Sequence, residues 1–339
     1  MTRLILVSTL LMLLLLPGCL PPEERPDQLQ AIARWQDLRL APADSLRAAV
    51  TADDAHVRLA AVRAAGLIGR DDVLPQIIDA LADASLTVRA EAAWALGLIG
   101  DPLALPDLNR AAADIRPQVR DAAVAALGHL ANDGTALLVA ADHDSPTTAA
   151  LAWNSLRNRA TEVAAADLRA AIITGLKRPE ADVRWRVLRC AEMVKDSTLV
   201  PILAPFILSD HAQVVVHAYR ALGQQSGPQV LPAVLAGFEH HKDFRGRLRD
   251  RVTINACRAV GALGAVAMGT AAPTKMDDFT AELIAAELIT AAGDDDPHVS
   301  ATALSAMARL VADLPLPAEA AQQESLLPVW RIRLAYLLS

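Results

Sequence analysis

Aromatic side chains are scarce: five tryptophans, two tyrosines and four phenylalanines stand among 339 residues, 3% of the chain. Positive charge is also in deficit, with 32 lysines and arginines against 39 aspartates and glutamates and a net charge of -7. A protein that binds nucleic acid wants a basic footprint, commonly with aromatic platforms for the bases. Both shortages argue against nucleic acid as a partner. Only three cysteines occur, Cys19, Cys190 and Cys257, and no two are spaced as CxxC. A Walker loop, a dinucleotide fingerprint and an HExxH motif are missing as well. No catalytic constellation is visible and no cofactor is implied. What the chain has in abundance is small apolar residues, within a hydrophobic fraction of 53%. Alanine and leucine suit closely packed helices, whereas sheets favour β-branched and aromatic residues. The composition predicts an all-α fold.

The sequence begins MTRLILVSTLLMLLLLPGCLPPEE. One basic residue, Arg3, precedes an apolar run from Leu4 to Leu16, 13 residues long. A membrane-spanning helix needs about 20, so the run is too short to span and has the length of a secretory h-region. The next residues, Leu16-Pro17-Gly18-Cys19, resemble the lipobox of bacterial lipoproteins, with Pro17 in place of the small or β-branched residue usual there. That resemblance implies cleavage before Cys19 and lipidation of its thiol. It also implies outer-membrane anchoring, because Leu20 stands where an aspartate typically signals inner-membrane retention. The alternative is an ordinary signal peptide with an incidental cysteine. Residues 1–18 are thus expected to be a signal peptide, and 19–27, LPPEERPD included, a Pro-rich tether.

Downstream, the chain repeats itself. Val57-Arg58 recurs as Val88-Arg89 and Val119-Arg120, then as Thr148, Val183, Val214, Val252 and Val299, at intervals of 31, 31, 29, 35, 31, 38 and 47 residues. Eight positions after these anchors stand Ala65, Leu96, Leu127, Leu156, Ala191, Leu222, Val260 and Met307. Prolines follow four anchors by 18 residues, at Pro75, Pro106, Pro201 and Pro232. Self-similarity at this period signals a solenoid built of helix pairs. Positions 0, +4, +7, +8 and +11 from each anchor are mostly apolar or small. At about 100° per residue they form one stripe, facing the first helices and the neighbouring repeats. Gly69 and Gly100 are placed to end helices in the left-handed conformation, and Asp101-Pro102 to begin the next.

The motif V-R-x-x-A-x-x-A-L-G-x-I-G-D-x-x-A-x-P, nearest in VRAEAAWALGLIGDPLALP from Val88 to Pro106, resembles the HEAT-like repeats, in particular the short version first noticed in phycobilisome lyases. The resemblance implies an α-solenoid of about eight helix pairs over residues 28–313. The lyase activity does not carry over, because no active residue matches. The fourth repeat departs from the motif with Thr148-Ala149, and the seventh and eighth carry Thr253 and Ser300 instead of arginine. The arginines at +1, Arg58, Arg89, Arg120 and Arg184, are expected to pair with an aspartate or a helix end in an adjacent repeat, a structural role. Cys190 and Cys257 fall two repeats apart, beyond disulfide reach, and are expected to be reduced core residues.

The ending WRIRLAYLLS keeps the register: with Ile332-Arg333 as the Val-Arg pair, Tyr336 takes the place of the alanine at +4. Residues 314–339 therefore read as a linker and the start of a further, truncated repeat. The alternative is an amphipathic cap over 326–338. His240-His241 with Asp243 lacks a third ligand spaced for a tetrahedral metal site, and Asp294-Asp295-Asp296 more plausibly begins a helix than holds calcium. One surface pattern suggests a site. At +3 and +6 of the fifth, sixth and seventh repeats stand Arg186 and Arg189, His217 and Arg220, then Asn255 and Arg258, next to the Arg-rich FRGRLRDR from Phe244. Stacking would align them into a basic ladder for an acidic partner. Earlier repeats offer Ala60, Arg63, Glu91, Trp94, Ala122 and Ala125 in those columns, so the charge is local, with Trp94 a candidate anchor. The sequence thus predicts a scaffold in the bacterial cell envelope, anchored by lipid and binding a protein partner. The alternative is the repeat arm of a larger envelope enzyme such as a cyclophilin-type prolyl isomerase, whose active-site motif does not occur in these residues.

Overall fold

The computed structural model describes residues 24–130, 134–226, 229–237, 244–267 and 286–311. Cys19, the expected signal peptide, His240-His241-Asp243 and residues 314–339 lie outside the described residues. The chain divides between Glu162 and Val163 into two units.

The first unit opens with α1 (Glu24–Leu38). Pairs follow: α2 (Ala43–Val50) with α3 (Ala55–Ile68), α4 (Leu74–Asp79) with α5 (Leu86–Ile99), α6 (Leu105–Ala111) with α7 (Pro117–Leu127), and α8 (Thr135–Ala141) with α9 (Pro146–Asn158). The second unit pairs α10 (Ala165–Gly175) with α11 (Ala181–Ala191), α12 (Val200–Leu203) with α13 (Ala212–Leu222), and α14 (Val230–Leu235) with α15 (Arg247–Ala267). The helical residues 286–292 then precede α16 (Pro297–Val311). All described regular structure is helical. The expected tether over 19–27 overlaps α1, which already includes Glu24 to Asp27. Pro26 falls within the first turn, where a missing N–H leaves no helical bond unmade, so the Pro-rich stretch does not postpone the helix. α1 packs on α3 and buries Ile32, covering the end of the first repeat.

Every anchor sits on a second helix, and all eight, Thr148 included, are buried. So are all eight residues at +8 and all eight at +4, where alanine occupies every repeat except the fifth, which has Val187. Within each unit, successive second helices pack on one another. What lets them approach is a glycine at +9. A Cβ built on Gly66 or Gly97 would lie 2.8 Å from the Cα of Ala95 or Ala126, the residue at +7 of the next repeat. Gly128 meets Ser155, Gly223 meets Ala259 and Gly261 meets Ala306 in the same way. Gly69 and Gly100 do different work: they end α3 and α5 with φ of 78° and 74° and touch nothing.

Helix starts are equally regular. Asp54, Asp101, Asp196 and Asp296 each accept a hydrogen bond from the backbone N–H two residues on. Asp296 thereby starts α16, and Asp294 pairs with Arg249 at 2.6 Å. The acidic triplet is helix entry and ion pair. Cys190 and Cys257 are buried and not joined by a disulfide, and burial together with nearby Glu287 pushes the Cys257 thiol up to about 12.

Candidate functional site

The arginines at +1 staple the turns. Arg58 lies in a fork against Asp83 of the next repeat, at 2.7 and 2.8 Å, and its third nitrogen donates to the carbonyls of Ala52 and Asp53. Asp83 also accepts from the backbone N–H of Ser85 at 2.7 Å. The Arg58 guanidinium holds its carboxyl below the usual carboxylate range. Arg89 donates to the carbonyls of Asp83 and Ala84. Arg120 donates to the Thr148 hydroxyl, which in turn donates to Asp121 at 2.7 Å. This accounts for the threonine that replaces valine in the fourth repeat: its hydroxyl completes a buried polar chain. Arg184 differs, since its Nε is buried with no hydrogen-bond partner among the described residues.

The ladder expected on +3 and +6 does not form as a single exposed flank. His217 is buried, its Nδ1 2.7 Å from Glu192 Oε1 and its ring stacked on Trp185 at 5.3 Å. Arg186 also lies over the same tryptophan, 4.1 Å from the ring centroid, and pairs with Asp182 at 2.5 Å. The +3 column is therefore packing. The reason lies in the neighbouring repeat: His217 meets Glu192 and Trp185 of the preceding repeat, whereas +6 and +10 lie on the side away from +8. Arg189 at +6 is half-buried on α11, and Arg220 pairs with Glu192 at 3.1 Å. Arg258 is exposed and has no carboxylate partner among the described residues.

Glu192 is the residue the sequence analysis passed over. It stands at +9, where five other repeats carry glycine. Its carboxylate, almost fully buried, instead reaches across to His217 and Arg220 on the next second helix. The signal was present as a break in the glycine column. Beside it, Met193, Gln224, Arg258 and Ala262 line an open groove of about 420 Å³ over α13 and α15. Trp94, in the first unit, is 39% exposed at +6, and Leu67 and Leu98 at +10 are exposed near it in register. Thus the face at +6 and +10 is the one left outside the packing in both units. It carries Leu67, Trp94 and Leu98 beside Arg63 on α3 and α5, and arginines on α13, α15 and α16.

Residues 43–128 match the family model for HEAT repeats. Those residues are HEAT-like repeats. Solved structures agree on the fold of these HEAT-like pairs. The crystal structure of an engineered protein aligns with TM-score 0.54 at 16% identity, covering 91% of this chain and 95% of that one. The X-ray structure of YibA from E. coli aligns with TM-score 0.56 at 17% identity, covering 86% of this chain and 98% of that one. Among curated proteins, none matches the chain in sequence. Among the described residues, no group of three or more histidines, cysteines, aspartates or glutamates could hold a metal ion, and no helix is long and apolar enough to cross a membrane.

Proposed function

We propose that this HEAT-like solenoid is a non-enzymatic scaffold of the bacterial cell envelope, tethered to the outer membrane by a lipid on Cys19, which binds a protein partner with an acidic contact region through the +6 and +10 face of its second helices. The observation that carries the reading is the contrast between columns. Positions 0, +4 and +8 are buried in every repeat and, but for Thr148, apolar, while +6 and +10 lie at or near the surface and differ in chemistry from repeat to repeat. Solenoid stability is a sum of neighbour terms, so the columns that maintain the stack are constrained and the remaining face is free to take on binding chemistry. Trp94 with Leu67 and Leu98 supplies an apolar anchor of the kind that dominates interface energy.

The address rests on the N-terminal motif and is tested separately. Metabolic labelling with a radioactive fatty acid should mark the wild-type protein and leave Cys19→Ser unlabelled and free of the membrane fraction. Equal labelling of both would remove the lipid anchor. The binding face is tested by photocrosslinking from +6 and +10 positions against positions on the first helices. A partner captured equally from both sides would refute the assignment of the face.

A further inference from the structure

Two open grooves run side by side over the second unit. The first, about 420 Å³, lies over α13 and α15 and holds Arg220 and Arg258. The second, about 330 Å³, lies over α15 and α16 and holds Arg258 again, with Arg309, His298 and Thr302. The shared Arg258 makes them one path crossing three helices. Of the described residues lining the path, only Glu192 is acidic, and His217 and Arg220 already engage it. Arg258 and Arg309 are exposed and have no carboxylate partner among the described residues. An occupant must therefore bring negative charge to successive helices.

The spacing narrows the occupant further. Gly223 against Ala259 and Gly261 against Ala306 bring these helices to the close end of the packing range, about 8 to 9 Å between axes. A polyproline II segment has three residues per turn and rises about 3.1 Å per residue, so every third side chain falls on one face about 9 Å apart. We propose that this path binds an extended acidic segment of the partner protein, in polyproline II conformation, with carboxylates at every third position meeting Arg220 and Arg258, which share the +6 column, and the segment continuing toward Arg309 at +10. The inference rests on the scaffold reading and supplies the chemistry of its partner. Nucleic acid would bring more phosphates than three arginines neutralise, and its bases would meet no exposed aromatic ring along the path.

The test is fluorescence anisotropy on the full chain with three labelled peptides. One has four Glu-Pro-Pro triplets. The second has the same composition with its glutamates clustered, and the third has lysine for glutamate. The spaced peptide should bind about tenfold more tightly than the clustered one, and Arg258→Gln should weaken it about tenfold, as expected for a lost charged hydrogen bond, with the melting temperature unchanged. Equal binding of spaced and clustered peptides, no effect of Arg258→Gln, or tighter binding of an oligothymidylate or inorganic polyphosphate would each overturn the proposal. If the peptides fail while a crosslinker at Leu98 still captures a partner, the acidic segment falls and the scaffold stands. If no +6 or +10 position captures anything, the scaffold reading falls with it.

Discussion

Gly97→Ala should lower the unfolding free energy of the protein by about 3 kcal/mol, at the upper end of the range for overpacked sites. The added methyl would lie 2.8 Å from both the Cα and the Cβ of Ala126, and one of these atoms is backbone that cannot rotate aside. To accommodate it, α5 and α7 must separate. Gly100→Ala, three residues on, is the informative comparison. Its φ of 74° strains any L side chain, but nothing lies within 4 Å of the new methyl. The cost there should be about 1 kcal/mol, the ordinary difference between glycine and alanine at a left-handed cap. Urea unfolding followed by circular dichroism separates the two. Equal costs at both positions would mean that close approach at +9 does not hold the stack.

The second large effect is expected at Asp83. Truncation to alanine removes both arms of the Arg58 fork and the cap on the Ser85 N–H, leaving a guanidinium whose side chain is only 16% exposed. A cost of about 2 to 3 kcal/mol follows from stranding a mostly buried charge and an uncapped donor. Arg63 makes an equally well-formed fork with Glu91, at 2.7 and 2.8 Å, but its own side chain is 51% exposed. Glu91→Ala should cost less than about 1 kcal/mol, because the guanidinium it leaves behind is half exposed and water replaces the lost carboxylate. The Asp83 contribution also depends on pH in a fixed direction. Its pKa is lowered in the folded protein, first by the hydrogen bonds from Arg58, so the stabilisation is present above the unfolded carboxylate value and is lost as pH falls through the lower folded value. The difference between wild type and Asp83→Ala should be constant from neutral pH down to about 5 and should narrow below about 4. A difference that widened in acid would contradict the assignment.

These two sites show what the sequence disclosed and what it withheld. The anchors at 0, +4 and +8 were legible because burial on a helix repeats at its own period, and the structure buries all of them. The helix ends at Gly69 and Gly100, the helix entry at Asp101 and the reduced state of Cys190 and Cys257 follow from equally local rules. The glycine at +9 was visible as a letter but not as a contact, since its reason lies on the next helix. The basic ladder failed for a related cause. Charge at +3 and +6 looks like one flank along a single helix, but a neighbouring repeat covers +3, which turns Arg186 and His217 inward onto Trp185. The face left outside the packing is therefore the one at +6 and +10, where Arg309 and Met193 join Arg189, Arg220 and Arg258. A consequence for mutagenesis follows. Arg220→Glu would set a second carboxylate against Glu192 and destabilise the fold, so Arg258 is the residue that tests binding cleanly.

The most direct measurement of the central claim is a photocrosslinking scan in cells that make the protein. A photoreactive amino acid would be placed in turn at Leu98 and Arg258, on the +6 and +10 face, and at Val139, which is exposed on the first helix α8. The account predicts a discrete adduct from Leu98 and Arg258, the same partner in both, and none from Val139. Adducts from Val139 alone, or none from either face position, would contradict it.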